Sequence, residues 1–278
     1  MSLNSTAQQT LILAAHGAGD ESSANQSLRA MADRLRKRPG FDEVIVAFNL
    51  GVPSFAEVLS ATKARNIVVV PVMTSDGYFR QTFLPRELAR NKRYPYVQVT
   101  VTSAVGTHQA LPGILLARVD SAMRDTQFDV AHAAIVVVGH GSERSPHSAD
   151  ATNTIRDALA TQLTAARFES AFLDQTPKLE ELVDHLNESL VIVVPFLFGG
   201  GFHATRDIPE RLRLIDPHIP RRLYHDRLGR RYVIIETLSS GFDLDDIVWS
   251  RATNTDIVWS RAANTVTPDC VNLENAKY

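Results

Sequence analysis

Three side chains of metal-ligating type stand at or just beyond the ends of three apolar runs. Ile135-Val136-Val137-Val138-Gly139 leads into His140, Ala171-Phe172-Leu173 into Asp174, and Val193-Val194-Pro195-Phe196-Leu197-Phe198, through Gly199-Gly200-Gly201-Phe202, into His203. A short continuous apolar run closed by a turn is the pattern of a buried parallel strand. In a doubly wound sheet, ligands bind beyond the carboxyl ends of such strands. The three groups lie 34 and 29 residues apart, so only a shared sheet rim would bring them together. Strand order 2-1-3-4 does this, with the His140 strand between the other two. Imidazole suits Co(II), Ni(II), Fe(II) or Zn(II), and a carboxylate offsets the charge of a divalent ion. Two nitrogens and one oxygen leave coordination positions open, as a transient or catalytic site requires.

The glycines beside these groups, Gly139 and Gly141 around His140 and Gly199 to Gly201 before His203, would let a large flat ligand approach the backbone. Neither stretch fits a phosphate loop or a dinucleotide fingerprint. No G-x-S-x-G elbow supports Ser142 as a nucleophile.

The elements that must position these groups follow from periodicity. Leu11 to Ala15 reads as a strand ending at His16-Gly17. Leu28, Met31, Ala32 and Leu35 mark one face of a helix, stopped by Pro39-Gly40. Val44 to Phe48, a helix from about Ser54 to Arg65, Ile67 to Val72, a helix near Leu84, Val97 to Val101 and a helix from Leu111 to Met123 complete four β-α units. Such alternation predicts an α/β fold, with a mainly parallel sheet flanked by helices. The pattern then recurs at an interval of 124 residues: His16 and His140, Pro53 and Pro177, Pro71 and Pro195, Gly77 and Gly201, Pro85 and Pro209. Duplication of a half explains an unbroken register through five landmarks.

The expected organisation is two tandem flavodoxin-like halves, each with a four-stranded sheet: residues 10–125, residues 130–265, and a polar tail at 266–278. Beyond Pro209 the register slips across an arginine-rich stretch, Pro217 to Arg231, readable as a solvated loop or as a rim of cations beside a carboxylate-bearing ligand. Residues 246–255 are followed by a near-identical copy at 256–265, differing only at Thr253 against Ala263. This tandem repeat falls within or after the last helix and has no evident use.

A formal net charge of -2 gives no global basic field for nucleic acid or an anionic membrane, so the expected partner is a small molecule. The single cysteine, Cys270, excludes a disulfide framework or a cysteine-ligated cluster built from this chain alone. The apolar run Leu11 to Ala15 is too short for a signal h-region or a membrane span, which predicts a cytoplasmic protein.

Taken together, V-G-H-G-S at Val138 to Ser142, F-L-acid at Phe172 to Asp174, P-x-L-x-E at Pro177 to Glu181, and V-V-P-x-x-x-x-x-G-x-H-x-x-x-D-I-P at Val193 to Pro209 resemble the class II tetrapyrrole chelatases. More narrowly, they resemble the sirohydrochlorin cobaltochelatases and ferrochelatases in their long, two-half form. The resemblance covers about residues 10 to 250, is strong over 135 to 212 and is weaker in the first half. It implies insertion of Co(II) or Fe(II) into sirohydrochlorin in cobalamin or sirohaem biosynthesis. The metal, with Ni(II) a third choice, is then a substrate, and no cofactor is permanently bound.

By the same resemblance, His140 and His203 are the metal-handling, catalytic histidines. Asp174 stands where a glutamate is usual, which keeps the charge and shortens the reach. It leaves open whether this carboxylate coordinates directly. Ser142, Arg144, Gly200, Gly201, Phe202 and Arg206 are expected to contact the tetrapyrrole, with Arg144, Arg206 and Arg211 as candidate anchors for its carboxylates. His147 is a candidate extra metal contact. The first-half equivalents are His16, Leu50 and Phe79, so only one ligand of three survives there; Asp76 is a candidate improvised partner for His16. Other readings are a metal or tetrapyrrole carrier without turnover, and a protoporphyrin ferrochelatase. Fused halves make a monomer sufficient, with a homodimer as the alternative.

Overall fold

The computed structural model describes residues 8–17, 23–92, 96–143, 145–198, 206–215, 223–239, 243–253 and 257–261. The first half runs β1 (Gln9–Ala15), α1 (Ser23–Leu35), β2 (Glu43–Phe48), α2 (Phe55–Ala61), β3 (Asn66–Pro71), a wide π-type turn (Phe79–Phe83), α3 (Leu84–Arg90), β4 (Gln98–Thr102) and α4 (Leu111–Thr126). The second runs β5 (Ala134–Gly139), α5 (His147–Ala160), β6 (Arg167–Phe172), α6 (Leu179–Asp184), β7 (Leu190–Pro195), α7 (Ile208–Arg211), β8 (Tyr224–His225), β9 (Arg231–Ile234) and α8 (Asp243–Thr253). Strand β10 (Ile257–Arg261) follows. Ser54 starts α2 through a capping box with Glu57, which satisfies two backbone donors reciprocally.

The strand orders are β10-β4-β3-β1-β2 and β6-β5-β7-β9-β8. The first strand of each half is therefore central, as the 2-1-3-4 order requires. The expectation of four-stranded sheets needs correction, because each has five strands and an antiparallel edge: β10 on β4, and β8 on β9. In the second half the extra strand belongs to the arginine-rich insertion. Asp226 there accepts from the backbone of Leu228 and Arg230 and from the Tyr232 hydroxyl. Among the described residues the first half has no counterpart of this hairpin, which accounts for the slipped register. Two of its arginines serve the fold: Arg230 donates to the carbonyls of Val183 and Leu186 at the end of α6, and Arg231 lies over the Phe128 ring.

The tandem repeat splits between two structures. The first Ile-Val-Trp-Ser-Arg lies in α8 and the second forms β10. Asp243, Asp245 and Asp246 fill the first turn of α8, where negative charge favours a helix. The second copy follows Thr253-Asn254-Thr255 instead, and its β-branched and aromatic residues suit an edge strand. Context outside the repeat thus selects the conformation.

Alternate strand residues face opposite ways. Leu11 and Leu13, with Ile135 and Val137, belong to one core common to both halves. Ile12 and Ala14 pack into an outer core with α2 and α3, while Val136 and Val138 pack into another with α6 and α7. The last helices are exchanged: α4 packs on α5 and β7, whereas α8 packs on α1 and β3. Arg34 of α1 grips Asp245 of α8 through two bonds of 2.6 and 2.8 Å. On α4, Arg118 holds Asp243 at 2.7 Å and donates to the carbonyls of Glu236 and Thr237. Trp249 of α8 meets Phe41 edge-on at 5.6 Å. The Asp245 side chain is only 5% exposed, so removing one partner leaves a charge largely without water. Arg34→Ala, which leaves Asp245 buried without this partner, should lower the unfolding free energy by about 3 kcal/mol in urea denaturation. Asp245→Leu combined with Arg34→Met should recover most of that loss.

Candidate functional site

The backbone ladder between β5 and β6 continues past the strand ends. Leu173 N–H donates to the Gly139 carbonyl at 3.1 Å, and Asp174 N–H to the His140 carbonyl at 2.9 Å. The two polar residues are consequently side by side. The His140 Nδ1 lies 3.4 Å from Asp174 Oδ2, and their side chains are 55% and 58% exposed. This is a long contact in open solvent, with the carboxylate beside Nδ1. A histidine whose Nδ1 is directed to a carboxylate can meet a metal ion through Nε2.

The glycines around His140 are also required by packing within the protein. A Cβ on Gly139 would sit 2.1 Å from Thr152 Oγ1 of α5; Gly141 has φ +79°, and a Cβ there would meet Gln175 and Phe172 within 3 Å. Close packing of helix and loop by itself demands their small size. The loop is held further by Gly141 N–H on Ser148 Oγ and Ser142 N–H on Gln175 Oε1 at 2.9 Å.

The first half reproduces the framework with different chemistry. Leu50 N–H donates to the His16 carbonyl at 2.7 Å, as Asp174 does to His140. Leu50 is exposed and Phe79 is buried, so neither can replace a ligand. Asn49 Nδ2 lies 3.4 Å from His16 Nδ1. Asp76 is engaged elsewhere, accepting from Ala104 N–H at 2.7 Å and pairing with Arg80. Yet His16 is more than a remnant of duplication. Its pKa is lowered, first by desolvation among its neighbours and then by the charge His140 would carry. The structure therefore brings His16 of one half into the electrostatic reach of His140 of the other. Sequence reasoning matched the two residues by register but had no signal that one lies within reach of the other's charge. At the same junction, Gly77 approaches His147, the first residue of α5, with a Cβ placed on Gly77 only 3.3 Å from the His147 Cβ. His147 is a packing residue at this contact.

Behind Asp174, Arg211 of α7 donates to Asp207 Oδ1 at 2.9 Å, to both Glu180 oxygens at 3.2 and 3.3 Å, and to the Leu173 carbonyl at 3.0 Å. Burial works against its charge, and the bonds and charges of Asp207 and Glu180 more than offset this, raising its pKa above the ordinary arginine value. Arg211 is thus committed within the protein, contrary to the expectation that it anchors substrate. Arg206 pairs with Glu210 at 3.0 Å on the surface. His203, Gly200, Gly201, Phe202 and Arg144 lie outside the described residues. Among the described residues no three histidine, cysteine or acidic groups converge tightly enough to hold a metal ion, and no helix is long and apolar enough to cross a membrane.

The CbiX family model matches residues 10–122 and again 134–252. A probable sirohydrochlorin cobaltochelatase from Halobacterium salinarum is 29% identical over 222 residues, which are 73% of this chain and 76% of that protein. Among solved structures, SirB from Bacillus subtilis with Fe3+ is similar at TM-score 0.70 and 19% identity, over 89% of this chain and 96% of that one. A multi-domain protein from Deinococcus radiodurans, described as structurally similar to chelatases, gives TM-score 0.61 at 22% identity, over 88% of this chain. This chain spans 54% of that longer protein. At these identities the two structural likenesses concern the fold.

The His16 environment has a pH signature. Its folded pKa lies below the ordinary value of 6.5, so on acidification the unfolded chain takes up this proton first. The contribution to stability is nil above about pH 6.5 and turns unfavourable as pH falls below it. Ring-proton NMR of the metal-free protein should show His16 titrating below the usual histidine range. His140→Ala should raise that midpoint part of the way, because desolvation remains.

Proposed function

The chain belongs to the CbiX family, and from that premise we propose that it inserts Co(II) or Fe(II) into sirohydrochlorin at the rim where His140 and Asp174 meet, with His16 within the field of His140. Its family supports metal-chelatase activity on a tetrapyrrole. The choice of sirohydrochlorin draws on the Halobacterium salinarum relative, a probable sirohydrochlorin cobaltochelatase. The observation that carries the reading is the contact of His140 Nδ1 with Asp174.

Metallation exchanges one divalent ion for two pyrrole N–H protons. The ion must reach the ring weakly held and partly stripped of water, and something must accept the protons. With Nδ1 turned to Asp174, His140 offers Nε2 to the incoming ion, and the carboxylate offsets part of its charge. His203, seven residues before the end of the Asp207-Ile208-Pro209-Glu210 turn, is the second metal-handling histidine in this reading. A neutral imidazole can also act as base near neutral pH, and the lowered pKa of His16 keeps it neutral there. A half-exposed site with few ligands suits transfer of the metal, where a closed set of four would retain it. The carboxylates of the substrate would meet cations of the rim, among them Arg144 and Arg206, and the ring would lie near Ser142, Gly200, Gly201 and Phe202.

Anaerobic insertion of Co(II) into sirohydrochlorin, followed by visible absorption, tests the proposal. His140→Ala and His203→Ala should each lower the rate by about 100-fold or more, and Asp174→Asn by about 10-fold. Unchanged rates in both histidine variants would sink it. Stoichiometric Co(II) or tetrapyrrole binding with no metallation above the uncatalysed rate would make the chain a carrier. Faster metallation of protoporphyrin than of sirohydrochlorin would reassign the substrate.

A further inference from the structure

Arg211 joins three segments that the proposed chemistry needs in fixed relation. Its guanidinium reaches the Leu173 carbonyl, in the peptide unit that leads into Asp174; Glu180, in the first turn of α6; and Asp207, which leads into α7 four residues after His203. The side chains of Arg211, Glu180 and Asp207 are 26%, 29% and 22% exposed, so the network is shielded from most of the solvent.

The other half serves as an internal control. At the interval of 124 residues, Leu173, Glu180, Asp207 and Arg211 become Asn49, Ala56, Phe83 and Glu87, which cannot form this network. Phe83 instead stacks on Phe79 at 4.9 Å and approaches Phe55 at 6.4 Å. Glu87 turns to Arg90. The scaffold is therefore satisfied by aromatic packing at these positions. The ionic network is confined to the half that keeps His140, Asp174 and His203, so folding alone gives no reason for it. A planar guanidinium fixes several acceptors at once in a rigid fork, whereas stacked rings tolerate sliding.

We propose that Arg211 is a positioning residue, tying the peptide that leads into Asp174 to α6 and α7 so that Asp174 keeps its place beside His140. This rests on the metal-handling role given to Asp174 above. Arg211 itself touches neither metal nor substrate; it acts through the Leu173 carbonyl and Asp207.

The test uses the full chain and Co(II) alone, under anaerobic conditions, reading affinity and the visible d–d bands. Arg211→Met should weaken Co(II) binding about 10-fold and alter the bands. Arg211→Lys, which keeps charge but not the fork, should fall between it and the unmodified chain. Arg213→Met, on the same segment with a 72% exposed side chain and a 3.7 Å pair to Asp184, should change neither readout. Should Arg211→Met fail to fold, Glu180→Gln carries the test, with an expected loss of about 3-fold, below the range for a full deletion. Folded Arg211 variants, or Glu180→Gln in their place, with unmodified affinity and bands would overturn the inference while leaving the proposed function standing. An unmodified chain that binds no Co(II) through His140 would instead bring down the function reading, and this inference with it.

Discussion

The structure depends on each half lending its last helix to the other. A parallel sheet must cover both faces, and the inner face of each sheet is covered partly by a helix that the chain supplies from the opposite half: α4 for the second sheet and α8 for the first. The result is one apolar core holding strand residues of both sheets, among them Leu11, Leu13, Ile135 and Val137. Arg34, Arg118 and their partners Asp245 and Asp243 then fix the register of the exchanged helices. Because the halves cannot part without opening this core, the rims of their sheets are held against each other, and His16 comes within the field of His140.

The two halves show what a duplicated framework requires and what it leaves free. Their strand orders agree over four strands, Leu50 and Asp174 make the same backbone bond to the preceding histidine, and Gly17 and Gly141 share a positive φ. Backbone bonds and close packing are indifferent to the side chains at the rim, so the rim diverged. One half carries Asp174 and the Glu180–Arg211–Asp207 network; the other carries Leu50 and the Phe55, Phe79 and Phe83 rings. Both arrangements fill the layer beneath the loops, one by charge-assisted bonds and one by apolar burial.

Much of this was legible in the chain itself. Apolar runs with strand length, helix punctuation at Pro39-Gly40 and Pro85, and the interval of 124 residues fixed the element order and the two halves, because burial and turn geometry act locally. The placement of His140 and Asp174 beyond the ends of neighbouring strands was legible for the same reason, each following a strand that could only be parallel. Less legible were the reasons for Gly139 and Gly141, which depend on Thr152 and Gln175 approaching from elsewhere. Arg211 looked like a free cation near a ligand motif, since sequence shows charge but not the carboxylates and carbonyl that take it up.

The repeated segment marks the boundary between the two kinds of information. One five-residue sequence, Ile-Val-Trp-Ser-Arg, is helix at 247–251 and strand at 257–261. Its residues allow either state, and the preceding aspartates, with Arg34, Arg38 and Arg118 waiting on the other half, select the helix for the first copy. By itself the sequence determined the units: strands, helices, their duplication and the polar side chains that follow them, all set by local periodicity and backbone geometry. Only the tertiary structure decided the exchange of helices, the fifth strand of each sheet and the approach of His16 to the field of His140, because those rest on pairings that local periodicity does not encode, β10 with β4 and α8 with α1 among them across more than a hundred positions.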